Sequence, residues 1–121
     1  MGMQHTVEFG STTIPAWPTV AALLAEQGMY VDVRMIDGQL SFPDELPPDT
    51  WTELRIGAPG GMITVRRIGM AVSLVTWENA DIAMRRAWNA LTWAFAQAGN
   101  GKIADAAGTQ SAAEFRLRAD I

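Results

Sequence analysis

The chain has 121 residues, 49% of them apolar and 18% charged, a composition that supplies a buried core and excludes a disordered polymer. With no cysteine and one histidine, it excludes disulfide scaffolds, thiolate nucleophiles and metal sites built on thiolates or several imidazoles. Nine cationic residues against thirteen acidic ones give a net charge of −4, which lacks the surplus that neutralises nucleic-acid phosphates.

No apolar run reaches the roughly 18 residues that span a bilayer, and the first residues lack the basic start and apolar stretch of a signal peptide. The expectation is a cytoplasmic protein with neither a membrane nor a nucleic-acid partner. Residues 1–121 read as one two-layer α+β domain. An antiparallel meander of about five to six strands packs against a long helix in the C-terminal half and a shorter N-terminal helix. Residues 1–5 are a terminus open to disorder.

Thr6 to Phe9 alternate, with Val7 and Phe9 on one face of a short first strand. Pro15 and Pro18 flank Trp17 and hold back a helix until Thr19, after which Val20, Leu23 and Leu24 form an apolar stripe. Gly28 is its natural stop. Tyr30–Ile36 and Gln39–Phe42 flank Asp37-Gly38, a dipeptide favoured in type I′ hairpin turns. That turn predicts Met35 opposite Leu40 and Val33 opposite Phe42, both pairs sharing an apolar face with Val31. Residues 43–49 form a loop with three prolines and three acids.

Leu54 and Ile56 then alternate with Glu53 and Arg55, and Ile63 and Val65 with Thr64 and Arg66. Residues 71–77 are dense in β-branched and apolar side chains. Arg66 and Arg67 are adjacent, so a regular strand would point them to opposite faces. One of them is therefore expected beyond the strand's end or on a bulge. Asn79 is a suitable N-cap for a helix over residues 80–98, with Asp81 in its first turn and Gly99-Asn100-Gly101 as its stop. In the tail from Lys102, Ser111 and Glu114 have capping-box spacing. The tail is either a short helix holding Phe115 and Leu117 or a frayed end.

Groups that could carry chemistry are few. His5 stands close to the terminus and is poorly placed for a nucleophile–base pair. Asp44, Glu45, Asp49 and Glu53 lack the ligand alternation of a calcium loop and read as a solvated loop. The glycines of 57–61 join two strands, whereas a phosphate loop precedes a helix. No metal or cofactor is expected. Arg34, Arg55 and Arg66 share the polar sheet face with Asp32 and Glu53. Cross-strand ion pairs are the default there, and a patch for an anionic ligand or partner is the functional alternative.

On the long helix, Ala80, Met84, Ala87, Trp88, Leu91, Ala94, Phe95 and Ala98 form the core stripe. Trp93 projects to the other side with Ile82, Arg86 and Asn89, a candidate interface. The tail (through Ile103, Phe115 or Leu117), a second subunit or partner, or solvent could cover it. The reading that follows is a non-catalytic protein-interaction module, self-associating as a homodimer. In size, acidity and layout it is similar to immunity proteins and secretion chaperones, a likeness that no motif carries. The alternative is a small-ligand-binding protein or enzyme with a pocket between sheet and helix, lined by Trp17, Trp51 and Trp77.

Overall fold

Strand alternation separates the two faces of the sheet, and the chain ends decide how far it extends. The computed structural model describes residues 2–10, 13–42, 44–106, 108–119 and 121. In chain order these hold β1 (Gly2–Glu8), α1 (Trp17–Glu26), β2 (Asp32–Ile36), β3 (Gln39–Leu40), β4 (Glu53–Ala58), β5 (Gly61–Ile68) and β6 (Ala71–Trp77). Next come α2 (Ile82–Gly99), β7 (Lys102–Asp105), β8 (Gly108–Ser111) and α3 (Ala112–Ala119). The architecture is α+β: one open sheet ordered β3-β2-β4-β5-β6-β1-β7-β8, antiparallel at every junction.

The sheet has eight strands where the sequence pattern suggested five to six. The tail supplies two of them: β7 pairs with β1 and continues through a hairpin into β8, placing Ile103 opposite Val7. Only Ile103 in this segment has strong strand character, so the pairing is set by the partner strand and not by local pattern. At the other terminus, Gly2–His5 are paired with β6 along their length. Ordering there comes from the ladder to β6, while β7 adds a second partner only from Thr6 to Glu8.

Leu54, Ile56, Ile63, Val65, Val72, Leu74, Val7 and Ile103 are all fully buried under the helices. They join Trp17, Leu24, Leu91, Phe95 and Phe115 in one core. Among the described residues no helix lies over the other sheet face, which leaves Arg55 and Arg66 exposed. Helix α1 begins at Trp17, not Thr19, because Pro18 falls in the first turn, where a missing N–H costs nothing. The N-cap of α2 is Asp81, whose carboxylate accepts from Met84 N at 2.8 Å. Asn79 stands in the turn before it. Asn100 ends the helix in a left-handed conformation. At the start of α3, Ser111 N donates to Glu114 Oε1 (2.9 Å) and Glu114 N to Ser111 Oγ (3.2 Å), the reciprocal pair of a capping box.

The Asp37-Gly38 turn has φ of 50° and 84°, as type I′ requires, and Met35 pairs with Leu40. The facing of this hairpin differs from the alternation reading. Val33 pairs with Ile56, Met35 with Arg55 and Ile36 with Leu54, so Arg34 is the extra residue of a bulge. Ile36 then turns to the core, whereas Met35 and Leu40 come to lie on the uncovered face. Among the described residues no helix is long and apolar enough to cross a membrane.

Candidate functional site

The uncovered sheet face gathers several large side chains that the core does not use. Register places Met35, Arg55, Thr64, Val75 and Gln4 in one row across β2, β4, β5, β6 and β1. In the next row Asp32 pairs with Gly57, Gly57 with Met62, and Trp77 with Gly2. Leu40 is 83% exposed and Trp77 66%. Two adjoining depressions share Met62, one with Met35, Leu40 and Arg34, the other with Arg55, Val75 and Trp77. Arg34 lies across Gly57, where an added Cβ would come within 2.7 Å of its Nε. Glycine is what lets the guanidinium lie flat on the sheet.

Of the three arginines singled out from the sequence, Arg55 and Arg66 converge on Glu53 (Nε to carboxylate oxygen 3.6 and 3.0 Å). Arg34 sits 3.9 Å from Asp32. Of these pairs only Arg66–Glu53 crosses strands; Asp32 with Arg34 and Glu53 with Arg55 are neighbours along one strand, and all three arginine side chains remain about half exposed or more. Surface pairs of this kind add little stability.

Arg67 differs from expectation. It occupies a regular strand position opposite Val72, with no bulge, and turns to the helix side. Its guanidinium stacks on Trp51 at 4.4 Å, and its Nη1 donates to Asp49 O at 3.0 Å. Partial burial lowers its pKa, and nearby Asp49 and Asp37 oppose the shift. The side chain closes the core's edge, as a long cationic stem does when its head reaches solvent.

Ile82, Arg86, Asn89 and Trp93 do not form one patch. Trp93 is 5% exposed, lying beneath the Arg116 guanidinium of α3 at 4.7 Å. The tail therefore covers it, and Trp93 itself presents almost no surface to a partner. Ile82, the first residue of α2, is 79% exposed, Arg86 is exposed, and Asn89 turns inward to His5.

His5 is the residue that the sequence reading undervalued. It is 7% exposed, stacked on Trp88 (centroids 3.7 Å apart, planes 8°) and met edge-on by Phe115 at 5.2 Å. Its Nε2 lies 3.0 Å from Asn89 Oδ1. Nδ1 has no hydrogen-bond partner and faces Asp105, 3.9 Å away. Asp105 in turn accepts from Gln110 Nε2 (3.0 Å) and from Arg118. Burial lowers the His5 pKa, opposed by Asn89 and Asp105. The imidazole is thus a packed, neutral ring at the junction of β1, α2 and the tail. The signal was available: Met3, His5, Val7 and Phe9 alternate with Gln4, Thr6 and Glu8, which places His5 on the core face.

The proposed lining of a pocket between sheet and helix is not assembled. Trp17 and Trp51 are buried, each 6.2 Å from Phe95, and Trp77 belongs to the opposite face. Among the described residues no three His, Asp or Glu side chains could hold a metal ion. Glu45 is used locally, accepting from Phe42 N at 3.0 Å. The glycines of 57–61 form the β4–β5 hairpin. No family model, curated protein or solved structure matches the chain.

Proposed function

We propose that this chain is a non-catalytic protein-interaction module that self-associates through the uncovered face of its sheet. The observation that carries the reading is the contiguous set Leu40, Met35, Met62, Val75 and Trp77, bordered by Arg34 and Arg55. Methionine, tryptophan and arginine are enriched in protein interfaces, and a contiguous apolar patch with a polar rim is how such surfaces differ from scattered exposed side chains. The polar rim also favours a second copy over a foreign partner. A two-fold axis brings a patch against itself, so charges that pair across it must be present in both signs. Here Asp32 and Glu53 accompany Arg34, Arg55 and Arg66. The burial of His5 beneath Trp88 supports a structural role for the single imidazole, and with it a binding role for the protein.

Met62 lies at the centre of the patch, 37% exposed and outside the core. Met62→Glu should therefore disrupt association without unfolding the chain. Light scattering at micromolar concentration is expected to give a dimeric mass for the native chain and a monomeric mass for the variant, with matching circular dichroism. A monomeric native chain, or a variant that remains dimeric, would refute the reading.

A further inference from the structure

The sheet patch has an oxidisable group at its centre. The chain carries seven methionines and no cysteine, so the thioether is its only sulfur chemistry. Exposure sorts three of them. Met84 is 2% exposed in the core, Met62 is 37% exposed on the uncovered sheet face, and Met70 is 47% exposed in the β5–β6 turn. Met70 lines a depression with Ile14, Asp49 and Arg67, apart from the patch. Met62 lines both depressions of the patch, one shared with Met35 and Leu40, the other with Val75 and Trp77. It belongs neither to the buried core nor to the partly buried side chains packed on that core. Its chemistry can therefore change without disturbing the fold.

A thioether differs in one respect from the leucine or isoleucine that would fill the same space. Its sulfur has lone pairs that take up an oxygen atom from a peroxide. One lone pair attacks an oxygen of hydrogen peroxide, the O–O bond breaks, and the second oxygen leaves as water after proton transfer. Sulfur is oxidised and the peroxide reduced, an electron pair passing from one to the other. The product, methionine sulfoxide, keeps the length of the side chain but replaces an apolar sulfur with a strong, hydrated hydrogen-bond acceptor. On a strand that faces solvent this costs the folded chain little. Between two copies, the new dipole must be stripped of water in the middle of an apolar contact.

We propose that Met62 is an oxidation site that controls self-association, its sulfoxide holding the chain as a monomer. The inference rests on the reading of the patch as the self-association surface. Coupling of this kind is reciprocal: if the sulfoxide opposes the dimer, the dimer opposes formation of the sulfoxide. Oxidation of Met62 thus proceeds from the dissociated chain and slows as protein concentration rises. Met70, outside the patch, is indifferent to concentration.

The test treats the full chain with hydrogen peroxide below and above the concentration at which it dimerises, following each methionine by peptide mass mapping. Met62 is expected to gain oxygen more slowly at the higher concentration, Met70 equally at both, and Met84 last. After partial oxidation, size-exclusion chromatography should yield a monomer fraction enriched in Met62 sulfoxide and a dimer fraction depleted of it. The sulfoxide should weaken association about tenfold or more. Circular dichroism of the two fractions should match. Met70→Leu should respond to peroxide as the native chain does. A dimer fraction fully oxidised at Met62, a monomer fraction with altered circular dichroism, or a Met62 rate that ignores protein concentration would each overturn the inference while leaving the dimer standing. A chain that is monomeric before peroxide is added refutes the self-association reading, and this inference with it.

Discussion

Removing the imidazole of His5 tests most directly whether the chain termini are structural. His5→Ala takes away a ring that is 7% exposed, stacked face-to-face on Trp88 and hydrogen-bonded to Asn89. The stack contributes about 1 kcal/mol beyond its area, and the buried ring with its cavity roughly 2 kcal/mol. The partly buried Asn89 amide, left without its partner, adds about 1 kcal/mol. A loss near 4 kcal/mol is a large share of the roughly 5–15 kcal/mol that holds a domain together. His5→Phe keeps the stack and forfeits only the polar contacts, so its loss should be about 1–2 kcal/mol. The two variants also separate packing from titration. Burial lowers the His5 pKa from 6.5, so in the window below 6.5 the unfolded chain binds a proton that the folded chain refuses. The His5 contribution is therefore complete above pH 6.5 and is lost as pH falls from there through the lower folded value. The stability advantage of the native chain over His5→Phe should shrink across that window. Urea denaturation followed by tryptophan fluorescence and circular dichroism, repeated from pH 7.5 down to about 5, measures both effects. A His5→Ala loss below about 1 kcal/mol, or a pH-independent difference between the native chain and His5→Phe, would refute the packing described here.

The remaining stability predictions concern the turn and the tail. Asp37 accepts hydrogen bonds from Thr52 N, Thr52 Oγ1 and Glu53 N at 2.8–2.9 Å while holding φ at 50°. Asp37→Ala should cost about 1–2 kcal/mol and speed hydrogen exchange at the Thr52 and Glu53 amides. The backbone amides of Glu53 and Thr52 hold the Asp37 carboxyl below its usual 3.8. Its contribution is thus complete above pH 3.8 and disappears as pH falls through the lower folded value, a slope that Asp37→Asn should remove. Ser111→Ala breaks one arm of the capping box and should cost about 1 kcal/mol. Because α3 carries Arg116 over Trp93, the same variant should raise acrylamide quenching of Trp93 fluorescence, isolated by difference against Trp93→Phe. Unchanged quenching would mean that the tail holds its place without the cap.

What was legible in the sequence is what is local. Asp37-Gly38 specifies its own turn because two consecutive residues must take positive φ, and Ser111 with Glu114 specifies its own helix start. The core stripe of α2 follows from helical rotation alone, and Met84, Ala87, Trp88, Leu91, Ala94 and Phe95 are all buried. What was not legible depends on partners distant along the chain. The bulge at Arg34 exists because Ile36 and Val33 both reach core positions opposite Leu54 and Ile56, a demand made by β4 and invisible within β2. The β7–β8 hairpin is placed by the edge of β1, on which β7 pairs, and little in its own sequence pattern announces it. Trp93 looked stranded on the outer side of α2 because α1 and α3 both pack on that helix, a second set of contacts that a single-layer wheel does not anticipate.

That second set of contacts redirects the search for a binding surface. With Trp93 covered, the helical layer has satisfied its large apolar side chains except at its margins, where Ile82 and Leu117 stand singly. Single exposed residues are ordinary on protein surfaces. The sheet's far side is different in arrangement. Its middle and β1 side carry the polar residues Gln4, Thr6, Ser73 and Glu53, and the apolar Met35, Leu40, Val75 and Trp77 gather around Met62. Three separate devices deliver them there: the Arg34 bulge that turns Met35 outward, the tight hairpin that sets Leu40 beside it, and Gly57, which leaves room for Arg34 along the rim. The bulge that brings both Val33 and Ile36 to the core also turns Met35 to the far side, beside Leu40. Met62→Glu therefore probes the part of the sheet's far side where Met35, Leu40, Val75 and Trp77 adjoin one another.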